Sequence, residues 1–206
     1  ETATTLTDDP WLGFLDHLRG RASAAPPSRA EGFSAELWDA MAASGLFSTL
    51  AVEGIGSGGM RAGIDRMRAL GRTSPDRGLT FSAATQLAST IYCLRAFSSK
   101  ELQERYLPTA EAGNAIGGHA ITEAEAGSDV MSMSKTAHLR NGSYVLNGTK
   151  RFITNAPIAS TLVVYAKTVE DGVDKGLSAF LIETGWPGVD TSRSLPCLLY
   201  TSDAAD

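Results

Sequence analysis

Cysteine is scarce in this chain: Cys93 and Cys197 are the only two among 206 residues. They stand far apart, without Cys-x-x-Cys or Cys/His spacing, so neither a disulfide framework nor a structural zinc site is expected. A reducing, cytoplasmic setting fits that usage. No window approaches the roughly 20 apolar residues of a membrane span. The opening ETATTLTDDPW lacks the basic stretch and apolar run of an export signal, and the start on Glu1 instead of Met leads us to expect a processed or cut N-terminus. Lys and Arg never gather into a block. With a net charge of −5 and a pI near 5.2, nothing supplies the counterion release on which nucleic-acid binding depends. Internal repeats are also lacking.

Hydrophobic residues make up 43% of the chain and charged residues 20%, and mean hydropathy is −0.06. That balance describes a globular chain able to bury a core, as one large or two small domains. Its first half reads as helix. Asp8 and Asp9 precede Pro10, and Trp11, Leu12, Phe14, Leu15 and Leu18 recur at helical spacing. After the Pro26-Pro27-Ser28 break, Ser34 can cap a helix carrying Leu37, Trp38 and Met41 that Gly45 stops. Met60 to about Arg72 forms a third helix, and Asp76 to Phe97 a fourth. The fourth is apolar on more than one face, as a central bundle helix should be. Ser98 or Ser99 caps a short helix, and Pro108 begins one more turn before Gly113.

From Ile116 the pattern changes. KTAHLR, SYVLNGTKRFIT, TLVVYAKT and LSAFLIE are short and rich in β-branched and aromatic residues. Asn141-Gly142, Asn147-Gly148 and Asp171-Gly172 punctuate them as hairpin turns. Helices first and antiparallel strands afterwards predict an α+β, multi-domain chain: an all-α helical bundle over 1–113, then an antiparallel β-barrel domain over 114–194.

Two motifs compete for a functional role. Gly54-Ile55-Gly56-Ser57-Gly58-Gly59 satisfies G-x-G-x-x-G, and LFSTLAV before it could pass for a strand. A dinucleotide crossover needs a second parallel strand after the helix, however, and TSPDRGLT at 73–80 cannot supply one. A loop between helices is the expected reading. The second signal is ITEAEAGSD at 121–129 together with KRFITN at 150–155. Gly127 and Ser128 allow main-chain N–H groups to approach a ligand, Thr122 and Thr154 can donate to the heteroatoms of a polar ring, and Phe152 offers a flat apolar face.

ITEAEAGSD followed by NGTKRFITN resembles the paired signature of the acyl-CoA dehydrogenase family, and the resemblance extends over roughly residues 8–190. It implies an N-terminal helical domain, a middle β-barrel and a C-terminal four-helix domain, with FAD held between the last two, usually across a dimer contact. Carried over by position, His119, Ile121, Thr122, Gly127 and Ser128 line the flavin. Thr122 bonds the ring and Ser128 reaches the acyl-CoA. Phe152, Ile153 and Thr154 make the ring's other contacts, with Thr154 near the reactive nitrogen. The implied activity is α,β-dehydrogenation of an acyl-CoA or acyl-carrier-protein thioester. A hydride passes to FAD, electrons go on to an electron-transfer flavoprotein, and the full-length enzyme is a homodimer or homotetramer. Flavin-dependent monooxygenases and oxidases share the architecture.

Departures from the family pattern matter as well. Ala124-Glu125 replaces the usual Pro-Gly and adds a carboxylate beside a loop expected to meet phosphate-bearing ligands, and His119 stands where an aromatic or small apolar residue is common. His17 and His138 read as ordinary surface or partly buried residues. The terminal SLPCLLYTSDAAD resembles translated adaptor read-through, so residues 195–206 are expected to be a non-native tail. The family draws its catalytic base from the C-terminal domain, so no residue here is assigned that role. Glu123 and Asp129 are expected to brace their loop by accepting main-chain N–H bonds. The fragment itself is expected to be inactive and to bind FAD weakly or not at all. A truncated interaction module is the non-enzymatic alternative.

Overall fold

The computed structural model describes residues 9–22, 33–53, 58–195 and 204–205. They divide into two compact units, with the boundary between Ile116 and Gly117.

The first unit is helical. Helix α1 (Pro10–Ala22) starts where the Asp9 carboxylate accepts the Trp11 amide at 2.9 Å, and it buries Trp11, Phe14, Leu15 and Leu18. Helix α2 (Ala35–Ala43) is capped by the Ser34 hydroxyl, which accepts the Leu37 amide at 3.3 Å. It ends before Gly45, whose φ is +80°. A short helix α3 (Thr49–Glu53) follows, with Leu46, Phe47 and Leu50 wholly buried around its start. The strand considered for LFSTLAV is therefore absent: those apolar residues sit at helical spacing, and helix α4 (Gly58–Thr73) comes next. Gly58 and Gly59 open α4, while residues 54–57 of the glycine-rich motif lie outside the described residues.

The long central helix is capped by Asp76, whose carboxylate accepts the Leu79 amide at 2.9 Å. It runs as α5 (Arg77–Ala84), a π-helical stretch Thr85–Ile91 and α6 (Tyr92–Phe97). In the π segment the wholly buried Gln86 donates to the carbonyls of Ala110 and Ala115, at 3.0 and 2.9 Å. Ser99 caps helix α7 (Lys100–Glu111), which carries Pro108 inside it without breaking. Gly113 then turns at φ +76°, where a Cβ would collide with that of Ala42, and its carbonyl accepts the Trp38 indole N–H at 2.9 Å.

The second unit is built on a sheet of β1 (Gly117–Ala120), β2 (Thr136–Arg140), β3 (Ser143–Asn147), β5 (Thr161–Glu170) and β6 (Val173–Glu183). Two hairpins form as expected. Asn141-Gly142 joins β2 to β3 and Asp171-Gly172 joins β5 to β6, with all four residues at positive φ. Asn147-Gly148 makes no hairpin. At φ +139° Gly148 lets the Lys135 stem lie where a Cβ would stand, and the chain passes on to β4 (Ile153–Thr154), which does not pair with β3.

The sheet is also mixed instead of wholly antiparallel. Both β1 and β2 run parallel to β5 and lie end to end along one of its edges: Ala120 faces Val164, and Thr136 faces Lys167. The reason is geometric, since a strand interrupted by a loop that rejoins the same edge keeps its direction. The sheet curls strongly. The Tyr144 ring on β3 meets that of Phe180 on β6 at 5.2 Å, although β2 and β5 lie between those strands. Ala120, Ile153, Ala156, Ala159, Leu162 and Val164 fill its inside, with Leu146 and Ile182 against them. A small second sheet sets β4 beside β8 (Ala204–Ala205) and β8 beside β7 (Ser194–Leu195).

Candidate functional site

The loop 121–135 departs from the edge of β5 after β1 and returns to it at β2, where the Lys167 amide donates to the Lys135 carbonyl at 2.9 Å. Its first turn closes on itself, the Glu123 amide reaching the Ala126 carbonyl at 2.9 Å. Asp129 braces its second half: the carboxylate accepts the Met131 amide at 3.2 Å, and its carbonyl accepts the Ser132 hydroxyl at 2.7 Å. Asp129 is thus a local cap, as expected.

The second motif is set by backbone conformation. Phe152 and Asn155 both adopt left-handed φ, +57° and +69°. Asparagine tolerates that region, whereas a bulky aromatic does so only when its surroundings enforce it. Asn155 is buried and donates to the Gly117 carbonyl at 3.1 Å, which pins the end of β4 to the start of β1. Gly118 completes the approach: a Cβ there would lie 2.9 Å from the Thr154 carbonyl and 2.7 Å from Leu162.

The two motifs meet at three main-chain and side-chain bonds. The Arg151 amide donates to the Thr122 carbonyl at 2.9 Å, and the Lys150 ammonium donates to the Ile121 carbonyl at 3.2 Å and to the Glu123 carboxylate at 2.8 Å. Glu123 also accepts the amides of Ser134 and Lys135, at 2.7 and 3.1 Å. Burial alone would raise its pKa. The Lys150 hydrogen bond, the two amides and the Lys150 charge outweigh that effect and take the carboxyl down to about 2. Glu123 is therefore a permanently ionised brace, the role expected of it, and unsuited to accepting a proton near neutrality. Beside it lies a cavity of about 200 Å³ lined by residues that include Glu125, Lys135, Thr149 and Arg151.

The expected site residues are distributed as follows. His119 sits on β1 with its ring 5.0 Å from that of Tyr165. Ile121, Thr122 and Thr154 are half-buried around the junction. Gly127 and Ser128 are exposed on the outer part of the loop, and no atom lies within 4 Å of where a Cβ on Gly127 would be. Phe152 is 62% exposed, with the Arg151 guanidinium 5.5 Å from its ring. Ile153 is placed differently from its two neighbours. Its side chain is buried in the sheet core, leaving only main chain to meet a ligand. Lys150 and Asn155 were not singled out beforehand. The sequence offers only a residue type that tolerates positive φ for Asn155, and for Lys150 a lysine in the polar stretch Thr149-Lys150-Arg151, where nothing marks it as buried.

Two threonine hydroxyls, an exposed aromatic face and a main chain bare of any Cβ at Gly127 fit a flat heteroaromatic group with polar edges. Among the described residues no group of three His, Cys, Asp or Glu side chains could hold a metal, and no helix is long and apolar enough to cross a membrane.

Comparison with known proteins identifies the family. The family model for the acyl-CoA dehydrogenase N-terminal domain matches residues 17–114, and that for the middle domain matches 118–198. The chain belongs to the acyl-CoA dehydrogenase family. It is 42% identical over 166 residues to the L-prolyl-[peptidyl-carrier protein] dehydrogenase of Serratia sp., covering 79% of this chain and 43% of that protein. To the mitochondrial isovaleryl-CoA dehydrogenase of Solanum tuberosum it is 43% identical over 129 residues, 63% of this chain and 31% of the relative. Among solved structures, the FAD complex of PigA superposes with a TM-score of 0.76 at 33% identity, over all of this chain and 56% of that one. The chain thus spans about half the length of the relatives it matches, or less.

Proposed function

We propose that this chain forms the helical and sheet portions of an FAD-dependent enzyme that oxidises acyl thioesters between the α and β carbons. The observation carrying the reading is the convergence of the two motifs, in which Arg151 and Lys150 hold Thr122 and Ile121 beside the Phe152–Thr154 segment. When bound, FAD supplies the two-electron acceptor for hydride. The residues present would hold that group: Thr122 and Thr154 offer hydroxyl donors for charge developing on a ring, and Phe152 covers an apolar face. The exposed Gly127-Ser128 main chain admits the substrate's polar handle, with Ser128 as its contact. His119, its ring beside that of Tyr165, acts as packing surface, not as a base.

For the substrate we favour a thioester carried on a peptidyl carrier protein over a coenzyme A ester. The prolyl-carrier-protein relative is 42% identical over 79% of this chain, whereas isovaleryl-CoA dehydrogenases that match 77%, 87% and 94% of it are 40%, 36% and 38% identical. The wider setting follows the family resemblance for a homodimer or homotetramer that passes electrons to an electron-transfer flavoprotein, and the cysteine usage for a reducing, cytoplasmic compartment.

The test is anaerobic mixing of the full-length parent protein, loaded with FAD, with prolyl-carrier protein and separately with isovaleryl-CoA. Loss of the flavin's visible absorbance with either thioester supports the reading, and faster loss with the carrier protein supports the finer one. A flavin left oxidised by both thioesters defeats it. Oxygen consumption during turnover would move the parent to the oxidase or monooxygenase branch.

A further inference from the structure

One ammonium group ties three segments of the second unit together. The Lys150 side chain is 10% exposed, and its three donors meet three acceptors: the Ile121 carbonyl at 3.2 Å, the Glu123 carboxylate at 2.8 Å and the Met133 sulfur at 3.8 Å. The Glu123 carboxylate, 2% exposed, is equally complete. One oxygen takes Lys150 and the Lys135 amide, while the other takes the Ser134 amide and hydroxyl, the latter at 3.1 Å. Protons and lone pairs therefore match one for one. A buried network this complete is stiff, and removing one member leaves a charge without a partner.

What the network holds is more specific than the sheet. The core of the curled sheet is apolar and includes neither residue. Lys150 instead grips the first motif at Ile121 and Glu123, and the next residue, Arg151, donates its amide to the Thr122 carbonyl. Two and three positions further along the chain come Ile153 and Thr154. Thr154 is held from the far side by the Asn155 bond to Gly117, but β1 ends at Ala120, so the placing of Thr122 against residues 150–154 falls to these bonds.

We propose that Lys150 is a positioning residue: paired with Glu123, it fixes the main chain of residues 121–123 against that of 150–154 and so sets how Thr122 and Thr154 are presented to the flavin. The inference rests on the flavin reading above for its ligand, but the fixing of the two segments does not.

The test uses the full-length parent protein in three forms. Lys150→Met leaves Glu123 uncompensated and can compromise folding. The paired Glu123→Gln, Lys150→Met form is neutral and keeps both shapes. Lys150→Arg is the conservative rescue. In the paired form we expect exchange of the Arg151 amide to rise about tenfold or more, while amides of the β5–β6 ladder keep their protection. FAD binding should weaken by about tenfold, the size of one charged hydrogen bond, with a shift in the visible band of whatever flavin remains bound. Lys150→Arg should recover part of each. Unchanged Arg151 exchange in a folded paired variant overturns the inference, and so does faster exchange with unaltered flavin affinity and spectrum. Failure of the wild-type parent to bind FAD would remove the flavin reading and the ligand named here. Arg151 exchange would still decide separately whether the two segments are locked.

Discussion

The Arg151 amide points at the Thr122 carbonyl from 2.9 Å, closing a bond between two motifs that the chain separates by a loop and a β-hairpin. Both residues flank the Glu123–Lys150 pair, so the acid sensitivity of that pair is the acid sensitivity of the junction.

Glu123 titrates near 2 in the folded chain against an ordinary value of 4.5. Its stabilising contribution is complete above the ordinary value and disappears as pH falls through about 2, because the unfolded chain takes up the proton first. Lowering the pH from about 5 to about 2 should cost on the order of 3 kcal/mol from this group alone. Glu123→Gln should flatten that part of the curve. Melting temperature against pH for the two proteins is the measurement; parallel curves would refute the assignment.

Phe152 should respond in opposite directions in two assays. Its φ of +57° is costly for an aromatic residue, and its ring is largely exposed. Phe152→Gly should therefore raise stability by about 1 kcal/mol in urea unfolding. The same change removes the apolar face, so flavin titration of the parent protein should show weaker binding. A loss of stability would mean that the ring contributes more packing than its exposure suggests.

Two glycines should part company on substitution by alanine. At Gly113 the φ is +76° and a Cβ would strike that of Ala42, so Gly113→Ala should destabilise by about 2 kcal/mol or more. Gly127 has open space around it, and Gly127→Ala should change stability by no more than about 0.5 kcal/mol. Chemical denaturation of both variants checks the contrast.

Gln86→Leu should cost roughly 2 kcal/mol, because it strips the side-chain donor from the Ala110 and Ala115 carbonyls. Calorimetry of the variant gives the value directly. Near-neutrality would show that water or a shifted backbone replaces both bonds.

Helix starts were legible because capping is local: Ser34, Asp76 and Ser99 each accept the amide three residues on. The π segment was not, since Gln86 takes its partners from the end of α7 and the residues beyond it. Asn141-Gly142 and Asp171-Gly172 turned as their φ preferences dictate. Asn147-Gly148 looked the same in sequence but was claimed by the Lys135 stem. Parallel pairing of β1 and β2 with β5 could not be read, because nothing in a strand's composition records which neighbour it joins. At the site, the bracing role of Glu123 followed from its type and place. Its chief partner, Lys150, lies in the other motif and required the folded chain.

The loop that leaves the edge of β5 and rejoins it makes the stretch between Ala126 and Met133 an interchangeable part. Strand register on either side is held by β5, so residues can be swapped or added between Ala126 and Met133, clear of the Glu123–Lys150 network, at a closure cost that grows only with the logarithm of length. Substrate preference in such a scaffold can diverge by loop exchange while the sheet beneath keeps its sequence.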